Sequence, residues 1–310
     1  MNNSNLRKAK KAKCDEFYTQ YVDIEKELQH YNIEGKIVYC NCDNPQYSNF
    51  YKYFKNNFHI HKIKHLYCTG YNKDGNGYYA EYNGTEEIIK PLNDNGDFRN
   101  EECINILKIA DVIVTNPPFS LFRPYIKLLM NYNKKFLIIG NQNAITYKEI
   151  FPYIKNNELW LGLSMNGSNR WFQAPDDYEV KENAAGYKVI DGKKYYFVNG
   201  VTWFTNIPHN KRNETLDLYR KYDATAYPKY ENYDAIEVSK VADIPMDYKG
   251  VMGVPITFLY KYNPNQFEIL GITENADYLK SLYINGCQKY DRPYINGKRI
   301  YSRLLIKRKQ

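Results

Sequence analysis

The feature that most constrains this chain is a short apolar run that stops at two consecutive prolines. Asp111-Val112-Ile113-Val114-Thr115 is β-branched and apolar, as an interior strand of a parallel sheet must be when both faces are covered. Asn116-Pro117-Pro118-Phe119 cuts it off. A proline has no N–H and a fixed φ, so ladder pairing cannot continue and the chain leaves in a rigid extended turn. The residue before a proline is pushed to extended geometry, which aims Asn116 beyond the carboxyl end of the strand. That is where open α/β sheets bind their ligands.

The neighbouring segments agree with such a sheet. Glu101–Ala110 carries apolar residues at 104, 106, 107, 109 and 110, and a second helix-like stretch, Leu121–Asn131, leads to the apolar strand Lys135–Gly140. Strand, crossover helix, strand predicts α/β layers around a mainly parallel sheet. Upstream, Asp23–Tyr31 reads as a short amphipathic helix closed by Gly35, and Ile37–Cys40 as the first buried strand. Ser48–Phe58 reads as an aromatic helix, Ile63–Tyr67 as a second strand, and residues 72–96 as loops and short hairpins. After residue 150 the alternation fades. Val189–Phe197 carries Asp191-Gly192 between strand-like arms, Gly200–Asn206 reads as one more strand, and Tyr294–Ile306 carries Asn296-Gly297. Both dipeptides are two-residue hairpin signals. Prolines and tyrosines rise from Ile207 onward, so a boundary is predicted there, between residues 1–206 and 207–310.

The proline corner carries a specific chemistry. The Asn116 side-chain carbonyl and the Pro117 backbone carbonyl accept hydrogen bonds, and Phe119 adds a flat apolar face. A planar ring with an exocyclic amine fits: its two N–H bonds point at the carbonyls and its ring stacks on the phenyl. An amine held so is set for in-line attack on an electrophilic methyl, without a covalent enzyme intermediate or a strong general base. Catalysis is then by positioning and by dipoles aimed at the developing charge. The bland alternative, a strand that ends in Asn-Pro-Pro only to turn, is weakened by the apolar run directly before it.

Composition excludes several other classes. At 43% hydrophobic and 16% aromatic, the chain can build a core and is neither disordered nor a disulfide-stapled miniprotein. Its apolar runs, such as Phe136–Ile139, fall far short of the ~20 residues that span a bilayer, and no charged-then-apolar leader opens it. A cytoplasmic location is expected, with no membrane partner. Cys14, Cys40, Cys42, Cys68, Cys103 and Cys287 show no CxxC spacing, and the five histidines lack metal-ligand spacing, so no metal site or disulfide framework is expected. The net charge of +8 is concentrated at the ends. Residues 1–13 hold five basic side chains and residues 298–309 six, with no acid in either, while the rest of the chain has 32 basic against 35 acidic. Basic ends on a near-neutral body suit a polyanion, because each neutralised phosphate releases a counterion. Lys10, Lys11, Lys13, Arg299 and Arg303 are the candidate nucleic-acid contacts. Trp171, Trp203 and the tyrosines between 222 and 233 are candidates for stacking on bases, with core packing the commoner role for such residues.

The segment Asp111–Phe119 resembles the catalytic motif of adenine-specific, S-adenosylmethionine-dependent DNA methyltransferases. More narrowly, the chain is similar to the EcoRI-type modification methylase family. Lys13–Gln20 (KCDEFYTQ), Val38–Phe50 (VYCNCDNPQYSNF), Gly96–Arg99 (GDFR), Asn116–Phe122 (NPPFSLF), Tyr227–Ala235 (YPKYENYDA) and Gly250–Leu259 (GVMGVPITFL) carry this resemblance over almost the whole length. It implies a Rossmann-like S-adenosylmethionine-dependent fold: a mostly parallel sheet flanked by helices, followed by a C-terminal target-recognition region. It further implies transfer of a methyl group from S-adenosyl-L-methionine to the exocyclic amine of an adenine rotated out of double-stranded DNA. Asn116 and Pro117 would accept the amine hydrogens, Pro118 would hold the turn and Phe119 would stack on the base.

The family pattern places Phe17, Tyr18 and Thr19 beside the donor's methionine moiety, Cys40, Asn41 and Asp43 in the cofactor loop, and Asp97 and Phe98 near the cofactor adenine. Two departures stand out against the wider methyltransferase pattern. The loop Asn41-Cys42-Asp43-Asn44-Pro45 has no Gly-x-Gly, and no acid follows the second strand at Thr69-Gly70-Tyr71 to hold a ribose. A restriction–modification system is implied, with a cognate endonuclease as functional partner, a monomeric enzyme and GAATTC as the word to test. Two competing readings are methylation of RNA or of a protein glutamine, and a DNA-binding module that has lost catalysis. Phe rather than Tyr at 119 argues against the first, and the intact Asn116–Phe119 motif against the second.

Overall fold

The structure is a computed structural model that describes residues 19–173, 186–273, 279–284 and 292–309. Phe17, Tyr18, Lys10, Lys11 and Lys13 lie outside the described residues. The chain divides into two compact units, Met1–Gln142 with Leu161–Ile207, and Asn143–Trp160 with Pro208–Gln310. Residues 143–160, which the sequence reading placed with the first region, belong to the second unit.

The first unit is built on a ten-stranded sheet. Its centre is four parallel strands, β1 (Ile37–Asn41), β2 (His65–Gly70), β5 (Val112–Thr115) and β6 (Lys135–Asn141), in the order β2-β1-β5-β6. The β5 residues are all buried, as their continuous apolar run predicts. The flanks differ from the sequence reading, because both are antiparallel. Within residues 72–96, read as loops and short hairpins, β3 (Tyr78–Tyr82) and β4 (Glu87–Pro91) do form a hairpin, and it joins the β2 edge antiparallel. On the other side β10 (Lys193–Thr205) pairs antiparallel with β6 and carries β7 (Trp160–Leu161), β8 (Ser168–Gln173) and β9 (Tyr187–Ile190). The parallel expectation therefore holds for the centre alone, because the flanking strands are joined by hairpins rather than by crossover helices.

Local chemistry explains the elements. Asp191 and Gly192 both take positive φ, 49° and 75°, the pair a type I′ turn requires, and they connect β9 to β10. The expected strand at Gly200–Asn206 is the second half of the one long β10, which shifts register between Val198 and Val201. Gly200 supplies the left-handed φ of 67° at that bulge.

Helix α1 (Tyr21–Leu28) buries Ile24, Glu27 and Leu28. Helix α2 (Asn49–Asn56) starts at Ser48, whose hydroxyl accepts from the Phe50 and Tyr51 amides at 3.1 Å each and so satisfies amides that otherwise lack helical partners. Helix α3 (Glu101–Ile109) buries Cys103 and Leu107. Helix α4 (Phe122–Asn131) buries Phe122, Tyr125, Ile126 and Leu129, the i, i+3, i+4, i+7 stripe of an amphipathic helix.

The second unit contains a short helix, α5 (Phe151–Lys155), and a four-stranded sheet of β11 (Ile236–Glu237), β12 (Met252–Val254), β16 (Leu304–Arg308) and β13 (Phe267–Ile272), in that order. Hairpin β14 (Tyr294–Ile295) to β15 (Lys298–Arg299) turns at Asn296 and Gly297, both at positive φ. The hairpin ends there, and Leu304–Arg308 pairs instead with β12 and β13. Among the described residues no helix is long and apolar enough to cross a membrane.

Candidate active site

Strand β1 lies between β2 and β5, so the strand order reverses there, and the loops leaving the carboxyl ends of β1 and β5 meet. Such a switch point opens a crevice in α/β sheets. Thr115, the last residue of β5, ties the two loops together. Its buried hydroxyl oxygen sits against the Asn41 carbonyl and 2.5 Å from Asp43 Oδ2. The other oxygen of Asp43 accepts from the Ser48 hydroxyl at 2.8 Å, and Ser48 caps α2. A continuous chain of polar contacts thus runs from the start of α2 through Asp43 to the residue before Asn116.

Burial raises the Asp43 carboxyl to about 7, against smaller lowering contributions from Thr115 and Ser48. The contact pattern fits a neutral acid. One Thr115 proton cannot serve both the Asn41 carbonyl and a carboxylate, whereas a protonated Asp43 donates to Thr115 and leaves the threonine proton for Asn41. Burial likewise holds the Cys40 and Cys68 thiols well above their ordinary range. Both are free thiols, and Cys68 Sγ donates to the Asp43 carbonyl at 3.1 Å.

Asn41 is almost fully buried. Its Oδ1 accepts from the Tyr125 hydroxyl of α4, while its Nδ2 has no hydrogen-bond partner among the described residues. Thr19 is similarly placed: its carbonyl accepts from Asn49 Nδ2 at 2.7 Å, and its buried Oγ1 has no described partner. Glycines bring backbones close in the same region. A Cβ on Gly70, at the end of β2, would lie 2.8 Å from the Asn44 Cα, and one on Gly96, at φ 75°, would strike the Gly70 carbonyl. These close approaches are between protein backbones: they seat the end of β2 against the loop after β1. Cys42 takes a left-handed φ of 61° in that loop.

The remaining predicted residues fall into distinct settings. Cys40 is wholly buried in the core. Phe98 is buried too, its ring edge-on to Tyr125 at 5.0 Å. Asp97 is committed to Arg99: Oδ1 accepts from the Arg99 amide at 3.0 Å and Nε at 2.8 Å, and Oδ2 from Nη2 at 2.5 Å. The bonds from Arg99 hold its carboxyl below the usual range. Asn116 and Phe119 are only 6% and 8% exposed, and Pro117 and Pro118 between them are buried. The corner is nearly closed to solvent.

Of the aromatic candidates, Trp203 is a core residue, fully buried and edge-on to Phe50, while Trp171 packs at a tilt against Phe197, with the Lys188 ammonium 4.1 Å from its ring. In the second unit Arg299 is exposed on β15, but Arg303 is not: only 11% of its side chain is exposed, and it pairs with Glu237 at 2.7 Å. Thr115, Ser48, Tyr125, Gly70 and Gly96 were missed by sequence reading. The one available signal was a hydroxyl residue at the mouth of an otherwise apolar strand.

The profile of the family described as adenine-specific methyltransferase EcoRI matches residues 5–309. The chain belongs to this family. It is 47% identical over 320 residues to the Type II methyltransferase M.EcoRI of Escherichia coli, covering 96% of this chain and 98% of that one. It is 39% identical to the Type II methyltransferase M.MpnI of Mycoplasma pneumoniae and 38% identical to M.MgeORF184P of Mycoplasma genitalium. Those alignments cover 98% of this chain, and 98% and 99% of the relatives. The protein is an adenine-specific methyltransferase, and Asn116–Phe119 lies at the switch point of its sheet.

Proposed function

We propose that this methyltransferase modifies the exocyclic amine of an adenine extruded from duplex DNA, with S-adenosyl-L-methionine as donor. The central parallel strands serve as a Rossmann-like donor-binding sheet and residues 207–310 as the target-recognition region. The setting is a cytoplasmic restriction–modification system, with a monomeric enzyme guarding the word that a cognate endonuclease cuts. One observation carries the reading: the proline corner of β5 is locked through Thr115 to the Asn41–Asp43 loop. The acceptor for an amine and the loop for a donor are thereby held in one register.

The residues fit a donor with an amino-acid end and a flat base. Asn41 Nδ2 and Thr19 Oγ1 are buried polar atoms whose partners are missing from the described residues. A buried polar atom in that state costs roughly 1–3 kcal/mol unless something pairs with it. The glycines at 70 and 96 let the end of β2 pack directly on the backbone of the loop after β1 and on the turn at Gly96, where a Cβ would clash, and so fix the shape of that loop. Thr19, Asn41 and Phe98 would hold the donor, with Asp97 at its adenine edge in competition with Arg99. When bound, the donor supplies an electrophilic methyl.

The protein's part is positioning. The Asn116 and Pro117 carbonyls take the two amine hydrogens and aim the nitrogen lone pair, and their dipoles stabilise the positive charge as it develops. The proton leaves afterwards, so no strong base is needed. Asp43 acts at one remove, through Thr115. Extrusion of a base costs roughly a few kcal/mol, and because Asn116 and Phe119 are nearly covered, it has to be accompanied by opening of this corner.

Asn116→Ala is expected to lower methyl transfer by at least ~100-fold, the scale of losing one transition-state dipole, with the Kd for duplex DNA changed less than ~3-fold. Parallel loss of binding and transfer contradicts the assigned role.

A further inference from the structure

The second unit holds an open groove of about 990 Å³ between the loop that starts at Tyr219 and the β14–β15 hairpin. Its rim is exposed and predominantly basic, with Arg220, Lys221, Lys298 and Arg299 against Asp223 and Asp243, and two exposed tyrosines, Tyr219 and Tyr301, offer flat faces. Its floor is different. There Arg303 and Glu237 form a largely buried pair, with Glu237 Oε1 accepting from Arg303 Nη2 at 2.7 Å and Oε2 from Nε at 3.1 Å. Glu237 is itself fixed by the Tyr230 hydroxyl at 2.5 Å and the Ser239 hydroxyl at 3.0 Å. On the rim, Arg220 faces Asp243 at 3.5 Å.

The two kinds of arginine suit two tasks. Phosphate contacts set a protein's register on the duplex and carry no sequence information, so exposed basic side chains suffice for them. A guanidinium whose orientation is fixed in a desolvated floor is poorly suited to that and well suited to reading a base edge. The carboxylate occupies the Nε–Nη2 edge of Arg303. Nη1 donates to the Ser302 carbonyl at 3.3 Å, and the second N–H of each of Nη1 and Nη2 is left for a partner. Two N–H bonds from these atoms match the O6 and N7 acceptors of guanine in the major groove. A buried ion pair is weak as a stabilising device, which leaves orientation as its use here.

We infer that Arg303, clamped by Glu237, reads a guanine of the recognition word, while Arg299 and Lys298 on the rim hold phosphates. This rests on the proposed DNA-modifying function and names the specificity residue within it.

The test uses the full-length protein and two independent readouts of the word: selection of bound sequences from a randomised duplex pool, and mapping of methyl groups in the same pool. Each guanine of the word is then replaced in turn by 7-deazaguanine, which removes the N7 acceptor and leaves the protein untouched. At one guanine the replacement should weaken wild-type binding by roughly 5- to 100-fold, the scale of a bidentate base contact. In Arg303→Met, which has no donor for O6 or N7, that penalty should vanish and discrimination at the same base pair should relax, with the salt dependence of binding unchanged. Arg299→Ala should instead weaken all sequences alike and lower the salt slope by about one. A word without a G·C pair, no selective binding, or 7-deazaguanine tolerated at every position would overturn the inference. So would a folded Arg303→Met that keeps the wild-type preference. Selective binding without methyl transfer would remove the catalytic reading and leave this one standing.

Discussion

Asp43 shows what a single side chain contributes and what a sequence conceals about it. The family resemblance puts it in the cofactor loop, but spacing along a chain does not say which way a carboxyl points. In the fold its two oxygens face Thr115 and Ser48 inside the protein. Its folded-state value of about 7 lies above the ~4 of an unfolded aspartate. Between those values the folded state binds more protons than the unfolded one. The stabilisation is therefore fully present below pH ~4 and is lost as pH rises through ~7. Asp43→Asn removes that titration while keeping a group that can donate to Thr115. In urea unfolding at a series of pH values, the wild type should lose stability relative to Asp43→Asn as pH climbs from ~4 to ~7; a constant difference rules out a buried neutral acid. Asn116–Phe119, by contrast, was legible at once, because prolines fix backbone geometry in any context. Asp97 was legible as a motif residue, but its capture by Arg99 two residues on was not.

Among the elements, the four central strands, the helices between them and both type I′ hairpins could be read from apolar runs and Asn-Gly or Asp-Gly pairs. The antiparallel flanks could not, since pairing direction is decided by which edge a hairpin reaches. Helix α1 is a second case. Its carboxylates look like a solvated face, yet Glu27 is fully buried. It accepts from the Leu163 amide at 2.9 Å, the Ser164 amide at 2.7 Å and the Tyr31 hydroxyl at 2.7 Å, so it fastens α1 to the segment after β7. Charge-assisted bonds of this kind are worth roughly 1.5–3 kcal/mol each. Glu27→Ala strands the two amides, and a loss of about 3 kcal/mol is expected in the urea unfolding free energy; a loss under ~0.5 kcal/mol, the scale of a surface change, means the fastening is dispensable.

Taken as one molecule, the methyltransferase separates its chemistry from its charge. The corner at Asn116 presents neutral carbonyls and is nearly closed, while 11 of 43 basic side chains sit in two short terminal segments. Charge runs are legible in sequence, but charge alone does not reveal that Arg303 is clamped and Arg299 exposed. Deleting residues 1–13, with five basic side chains, should weaken DNA affinity and flatten its salt dependence, since each phosphate contact adds about 0.9 to the slope. An unchanged slope means that segment touches no phosphate. The most direct trial of the whole account is to incubate the purified protein with methyl-labelled S-adenosylmethionine and a randomised duplex pool, then map the labelled base. Label on the exocyclic amine of adenine, at one position within one short word, is the expected result. Label on cytosine, RNA or protein, or none at all, contradicts it.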